Sequence, residues 1–302
     1  MALRPARRAP PWLTELAARA GWSPIQLLNR VDRLTPGLDR SKRIAEGVPY
    51  GPDERQLLDI WAPVGRAAQA GVGRRPVVIF FYGGGWNSGD RADYGFVGAA
   101  LAGQGFLTIV PDYRLVPSVR FPTFLEDAAE AVRWTGRHIH HYGGDRQAIA
   151  VSGHSAGAYL GAMLALDRRW LGEQAGLVKA GALLSGPYDF APFRESRGRN
   201  AFGHWPKPAE TQPVSHAHLN APPLMLLHGS SDRVVFAKNS RTLAARLADA
   251  GAPVKLQIYP GANHVDLALA LARPFRRRFP VLADMTAFLR SVLSPPTSEE
   301  DK

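Results

Sequence analysis

The pentapeptide Gly153-His154-Ser155-Ala156-Gly157 constrains the fold of this chain more than any other stretch. The residues before it, Ala148-Ile149-Ala150-Val151-Ser152, are an apolar run suited to a buried strand, and residues 156–166 are a second apolar run suited to a buried helix. A strand that passes into a helix this abruptly must turn sharply, and the serine at the turn then takes a strained backbone with its hydroxyl exposed. Glycines on both flanks are what the turn needs, because strand and helix approach too closely there for a Cβ. Among 302 residues there are 30 glycines and 15 serines. A G-x-S-x-G pattern then arises by chance about 0.15 times in such a chain, so the pentapeptide carries weight only through its setting.

The setting repeats along the chain. Strand-length apolar runs recur at 57–61, 77–81, 106–110, 180–185, 224–227 and 254–259. Helical patterns fall between them at 93–102, at 124–142 with Glu126, Asp127 and Glu130 near its favourable end, at 236–250 closed by Gly251, and at 280–293. This alternation predicts an α/β fold with a mainly parallel sheet and helices on both faces. Residues 1–45 stand apart as an N-terminal helical arm, with amphipathic pieces at 12–17 and 25–28 broken at Gly21 and Pro24, placed to contribute to a cap. Residues 46–293 form the main domain. Its proline-rich excursion 187–222 lacks periodicity and reads as a short lid over the sheet's carboxyl edge. Residues 294–302 are polar and read as a flexible tail.

A serine hydroxyl is a weak nucleophile until a base takes its proton, and that base is usually a histidine held in one tautomer by a carboxylate. In this kind of fold the chain order is serine, acid, histidine. Asp232 follows the run 224–227 through His228-Gly229-Ser230-Ser231, and His264 follows 254–259 through Pro260-Gly261-Ala262-Asn263. Both therefore fall at carboxyl ends of strands, where α/β sites gather. Asp189 and Asp266 are runner-up acids; the first precedes the excursion and the second is too near His264 for the usual order. His228 sits at a strand end ahead of the acid, and His154 is read as a packing residue. His138, His140 and His141 crowd a helix end, where charge–dipole attraction accounts for them. His216 and His218 lack a further ligand set, so no metal and no cofactor is expected. Acyl transfer also needs donors for an oxyanion. Tyr82-Gly83-Gly84-Gly85-Trp86 directly follows a strand, and its glycines let N–H groups face a ligand; Ala156 supplies another N–H at a helix start.

Bulk properties remove other classes. The formal net charge is +11, but the arginines are scattered and no nucleic-acid-binding signature is present, so a solvated basic surface explains them and no nucleic acid is expected. No run approaches the roughly 18 apolar residues of a membrane span. The basic N-terminus has no apolar stretch behind it, so a cytoplasmic protein is expected, with an Arg-rich transit peptide as the alternative. The absence of cysteine excludes disulfides and thiol catalysis.

With these residues in place, the chain resembles the α/β-hydrolases over roughly residues 48–292, specifically the hormone-sensitive-lipase-like carboxylesterases and the kynurenine formamidase-like enzymes. The resemblance is carried by Tyr82-Gly83-Gly84-Gly85-Trp86, Asp112-Tyr113-Arg114-Leu115, the serine pentapeptide, Asp232 and Gly261-Ala262-Asn263-His264. It implies Ser155, Asp232 and His264 as a catalytic triad, and the N–H groups of Gly83, Gly84 and Ala156 as the oxyanion hole. The implied activity is cleavage of small carboxylic esters through an acyl-enzyme. The alternative is an arylformamidase hydrolysing an N-formyl amide, and a third reading, a non-catalytic ligand-binding protein on the same fold, predicts a broken triad. Where the family usually begins its glycine motif with histidine this chain has Tyr82, whose hydroxyl can take over the ordering of the loop. Tyr82, Trp86 and Trp205 are the candidate substrate-pocket residues. Asp112 and Arg114 are expected to be structural pairing groups. The oligomeric state stays open.

Overall fold

In the computed structural model, which describes residues 24–35, 39–65 and 74–293, the run before Ser155 becomes the interior of a sheet: every residue from 148 to 154 is buried. In chain order the regular elements are α1 (Pro24–Leu34), β1 (Ser41–Pro49), β2 (Leu57–Pro63), β3 (Arg75–Phe81), α2 (Gly95–Ala102), β4 (Leu107–Pro111), α3 (Thr123–His138), β5 (Gly144–His154), α4 (Ala156–Leu166), β6 (Val178–Leu184), α5 (Ser196–Phe202), β7 (Leu224–Gly229), α6 (Lys238–Asp249), β8 (Val254–Tyr259), α7 (Asp266–Leu269) and α8 (Val281–Leu293). The strands form one sheet in the order β1-β2-β4-β3-β5-β6-β7-β8. β1 and β2 are antiparallel to their neighbours, and β4 through β8 run parallel. This is the α/β-hydrolase architecture. Helices α4 and α8 both pack against β5 and β6, and these central strands are buried along consecutive residues, as strands covered on both faces are.

The parallel register brings the carboxyl ends of β3, β5, β7 and β8 to one edge, and Tyr82, Ser155, Ser230 and Pro260 are the first residues past them. Two elements differ from the sequence expectation. β1 was not expected, because its residues are largely polar; it is an edge strand with half its side chains turned to solvent, and lysine, arginine and glutamate suit that position. The excursion 187–222 contains helix α5, whose Ala201 and Phe202 are fully buried. Phe121 N donates to Ala201 O at 3.0 Å and His204 Nε2 to Phe121 O at 2.7 Å, so the segment is bonded to the body of the domain. The expected amphipathic piece at 12–17 and the tail 294–302 lie outside the described residues, and the piece at 25–28 falls within α1.

Candidate active site

Ser155 sits between β5 and α4 with φ 54° and ψ −119°. A non-glycine residue in this region carries strain of about 1–3 kcal/mol, which the surrounding packing must hold. The flanking glycines show how tightly it is held. A Cβ at Gly157 would collide with the Phe81 carbonyl oxygen, and one at Gly153 would meet the backbone of Gly157 at 2.5 Å. Ser155 N donates to Leu184 O at 2.9 Å, anchoring the turn to the end of β6.

His264 reaches the serine from the loop after β8. Its Nε2 lies 2.9 Å from Ser155 Oγ and its Nδ1 lies 2.7 Å from Asp232 Oδ2. A carboxylate only accepts, so Nδ1 carries the proton and Nε2 faces the serine hydroxyl as an acceptor. Asp232, on the loop after β7, is buried, and its other oxygen accepts from the amides of Val234 and Val235, each at 2.9 Å. Burial alone would raise its pKa. Hydrogen bonds from His228 and His264, the charge of His264 and the Val235 amide outweigh burial and hold the carboxyl well below the usual aspartate value. The structure thus brings Ser155, His264 and Asp232 into one hydrogen-bonded line.

Two further histidines touch this line, and the sequence reading gave neither of them such a contact. His228 is fully buried. Its Nε2 lies 2.8 Å from Val235 O and 3.3 Å from Asp232 Oδ2. Both are acceptors, so Nε2 carries the proton, and Nδ1 accepts from the Ser240 hydroxyl at 2.7 Å. His154 was read as packing alone. Its Nε2 donates to His264 O at 2.8 Å, and its ring lies 4.8 Å from the His264 ring, so it fastens the histidine loop to the serine turn. Burial and the neighbouring His264 push the His154 pKa down to about 3, which keeps it neutral. The signal for His228 was its spacing of four residues from Asp232 within one strand-to-loop turn. Of the runner-up acids, Asp266 accepts from Asn263 N at 2.9 Å and closes the histidine loop's turn, while Asp189 is bonded through its amide to Asn239.

The glycine loop faces the serine. A Cβ at Gly83 would meet His154 Nδ1 at 2.9 Å and Ser155 Cβ at 3.2 Å, so the loop comes this close because the residue is glycine. Gly84, Gly85 and Trp86 continue the loop with positive φ. Tyr82 is fully buried beneath the loop, its ring stacked between Tyr94 at 5.4 Å and Tyr113 at 4.7 Å. Its hydroxyl donates to Asp112 Oδ1 at 2.9 Å and accepts from Arg55 Nη2 at 3.0 Å. Tyr82, named as a pocket candidate, is therefore enclosed in the core and orders the loop from below. Trp86 is 5% exposed and packs edge-on against Tyr159 and Phe202. Trp205 packs edge-on against Phe121 at 4.8 Å. Asp112 accepts from Arg91 N at 2.7 Å and Arg91 Nη1 at 2.5 Å, whereas Arg114 pairs with Asp127 at 2.6 Å; both are pairing groups, in separate pairs.

No group of three or more histidine, aspartate or glutamate side chains among the described residues is arranged to hold a metal ion, and no helix of the described residues is long and apolar enough to cross a membrane.

The model of the BD-FAE family matches residues 58–247, the stretch that carries the glycine loop, Ser155 and Asp232. The chain belongs to the BD-FAE family. It is 34% identical over 239 residues to the esterase LipC of Mycobacterium tuberculosis, covering 72% of this chain and 58% of LipC. It is 28% identical over 285 residues to the isoprenylcysteine alpha-carbonyl methylesterase ICME of Arabidopsis thaliana, covering 85% of this chain and 65% of that protein. The chain thus spans less than two thirds of the length of these curated relatives. Among solved structures, a truncated carbohydrate esterase from gut microbiota superposes with a TM-score of 0.74 at 21% identity, covering 86% of this chain and 99% of that one, a likeness of fold.

Proposed function

We propose that this family member is a serine carboxylesterase, with Ser155 as nucleophile, His264 as general base and acid, and Asp232 orienting His264. The observation that carries the reading is the line from Ser155 Oγ through His264 to Asp232 at 2.9 and 2.7 Å, set on a strained serine turn. The esterase names of the relatives support it. Ser155 Oγ adds to the ester carbonyl while its proton passes to His264 Nε2, giving a tetrahedral oxyanion. That intermediate collapses, the C–O bond to the alcohol breaks, and His264 returns the proton to the leaving oxygen. Water, deprotonated by His264, then releases the acid from Ser155.

The three amides expected to receive the oxyanion, those of Gly83, Gly84 and Ala156, are assigned as its donors, and the absence of a Cβ on Gly83 gives the nucleophile its space. The segment 187–222 walls the site through α5. The substrate is a small ester, and the protein works in the cytoplasm.

Ser155→Ala tests the reading. It is expected to lower kcat about a million-fold on p-nitrophenyl acetate and to abolish labelling by a fluorophosphonate. Unchanged turnover in that variant removes Ser155 as nucleophile. N-formylkynurenine in the same assay separates ester from formamide hydrolysis.

A further inference from the structure

Ester hydrolysis places the two halves of a substrate on different sides of Ser155. The acyl half stays on the serine after the first step. The alcohol half departs past His264, because His264 Nε2 delivers the proton to the leaving oxygen.

The two sides differ in what the structure leaves open. Beside the glycine loop and one turn into α4, Trp86, Tyr159 and Phe202 are buried and meet edge to face, with ring centroids 4.8 to 5.4 Å apart. Phe124 and Phe190 stack on Trp86 at 6.2 and 5.9 Å. Tyr159 lies one turn past Ser155 in α4, so this buried block stands on the α4 side of the nucleophile, and closely packed rings offer no ready opening to a long acyl chain.

On the histidine side, a cavity of about 630 Å³ opens between the Asp232 loop and the His264 loop. Asn263, His264 and Val265 form one wall, and Arg233, Val234 and Phe236 the other. Its size suits a small-molecule group rather than a methyl or ethyl alone. Val234 and Phe236 are 63% and 65% exposed, two of only four large hydrophobic side chains so exposed among the described residues. Apolar side chains left open beside a reactive group gain from being covered by a ligand. The wall that carries them is held in place: Asp232 accepts the Val234 and Val235 amides, and Ser230 Oγ accepts from Gly261 N at 2.9 Å, tying the two loops together.

We propose that this cavity is the alcohol site, and that the enzyme selects short-chain acyl esters of bulky apolar alcohols, aryl-alkyl or branched-alkyl. The proposal rests on the esterase reading above and adds which half of the ester is large. Phe236 and Val234 act as specificity residues that touch the alcohol moiety.

The test uses the whole chain and esters whose leaving alcohols have similar basicity. From ethyl acetate to 2-phenylethyl acetate, kcat/KM is expected to rise at least about tenfold, and from 2-phenylethyl acetate to 2-phenylethyl octanoate to fall at least about tenfold. Phe236→Ala and Val234→Ser are each expected to cut the phenylethyl-to-ethyl ratio, by about tenfold for Phe236→Ala and less for Val234→Ser. A ratio does not depend on how much of a variant is folded. Preference for octanoate with no gain from the phenylethyl group overturns the proposal and leaves the esterase reading standing, and so does a ratio unmoved in both variants. Absence of turnover on every ester, with no fluorophosphonate label on Ser155, overturns the esterase reading and this proposal with it.

Discussion

Two buried carboxylates stand just past strand ends, and they are held in opposite ways. Asp112, after β4, meets the guanidinium of Arg91, the Tyr82 hydroxyl and the Arg91 amide. Asp232, after β7, meets two backbone amides and two histidines. Burial and the nearby Asp90 raise the pKa of Asp112, and its bonds to Arg91 and Tyr82 offset only part of that. At Asp232 the hydrogen bonds outweigh burial and the pKa is lowered. Asp112 is matched by a permanent cation, so its charge is spent on holding the glycine loop over Tyr82. Asp232 has no arginine or lysine partner among the described residues; its partners are backbone amides and histidines, so in the proposed mechanism its charge is available to His264 when that ring becomes an imidazolium. A buried carboxylate is suited to chemistry when its partners fix it without neutralising it.

Asparagine substitution at the two sites gives the sharpest contrast. Asp232→Asn is expected to lower kcat by about 10⁴, because an amide at this position favours the wrong tautomer of His264. Asp112→Asn is expected to act through the loop and cost no more than about tenfold in kcat. Equal losses in the two variants break the distinction between an oriented and a neutralised carboxylate.

A second contrast lies in stability. Arg91→Met removes the guanidinium that Asp112 and Asp59 share at 2.5 and 2.9 Å, and leaves each with only a longer ion pair, Arg55 at 3.7 Å and Arg43 at 3.2 Å. Breaking such a buried pair is expected to cost about 3–5 kcal/mol in urea unfolding, well beyond the loss from Asp232→Asn. If Asp232→Asn destabilises more than Arg91→Met, the Asp232 network is the stronger structural element and the comparison is reversed.

How far these roles were legible in the sequence follows from the same physics. Ser155, Asp232 and His264 each close a strand-length apolar run, so their placement at one edge was readable once the alternation of strands and helices was recognised. Each of the seven apolar runs coincides with a strand, with only Phe106 and Ser185 falling one residue outside. β1 was not readable, because an edge strand with alternating exposure and charged residues has no apolar run to mark it. Tyr82 could be read as a loop-ordering group from its position, but its enclosure between Tyr94 and Tyr113 depends on contacts set by tertiary packing. His228 and His154 were visible only as histidines near motifs. What gives them a role is which way each ring turns, and periodicity carries no information about that.

His228 refines the account of Asp232. If it fixes the carboxylate through its Nε2–H, His228→Asn is expected to lower kcat about 10- to 100-fold with KM little changed, the size of one hydrogen bond to a charged group. Ser240→Ala, which removes only the partner of His228 Nδ1, is expected to act in the same direction and by less. A change confined to KM shows that His228 shapes binding and not the acid.

His154 supplies the smallest and most specific effect. Its pKa is pushed down to about 3 from the ordinary 6.5, first by burial and then by His264. Between those two values the unfolded chain binds a proton that the folded chain refuses, so the unfolded state gains stability as pH falls. The stability owed to neutral His154 is fully present above pH 6.5 and is lost on descending toward pH 3, at up to about 1.4 kcal/mol per pH unit from this one group. Asp232 has the opposite window: its lowered pKa costs nothing until pH falls below the ordinary aspartate value of 3.8. The two contributions therefore separate in a series of urea unfolding curves between pH 7 and pH 4, where only the histidine acts. His154→Gln keeps a side-chain donor for the His264 carbonyl but has no proton to refuse, so its stability is expected to decline less steeply over this range than that of the parent chain. Parallel slopes in the two proteins show that His154 takes up its proton as readily in the folded as in the unfolded chain, and that burial does not hold it neutral.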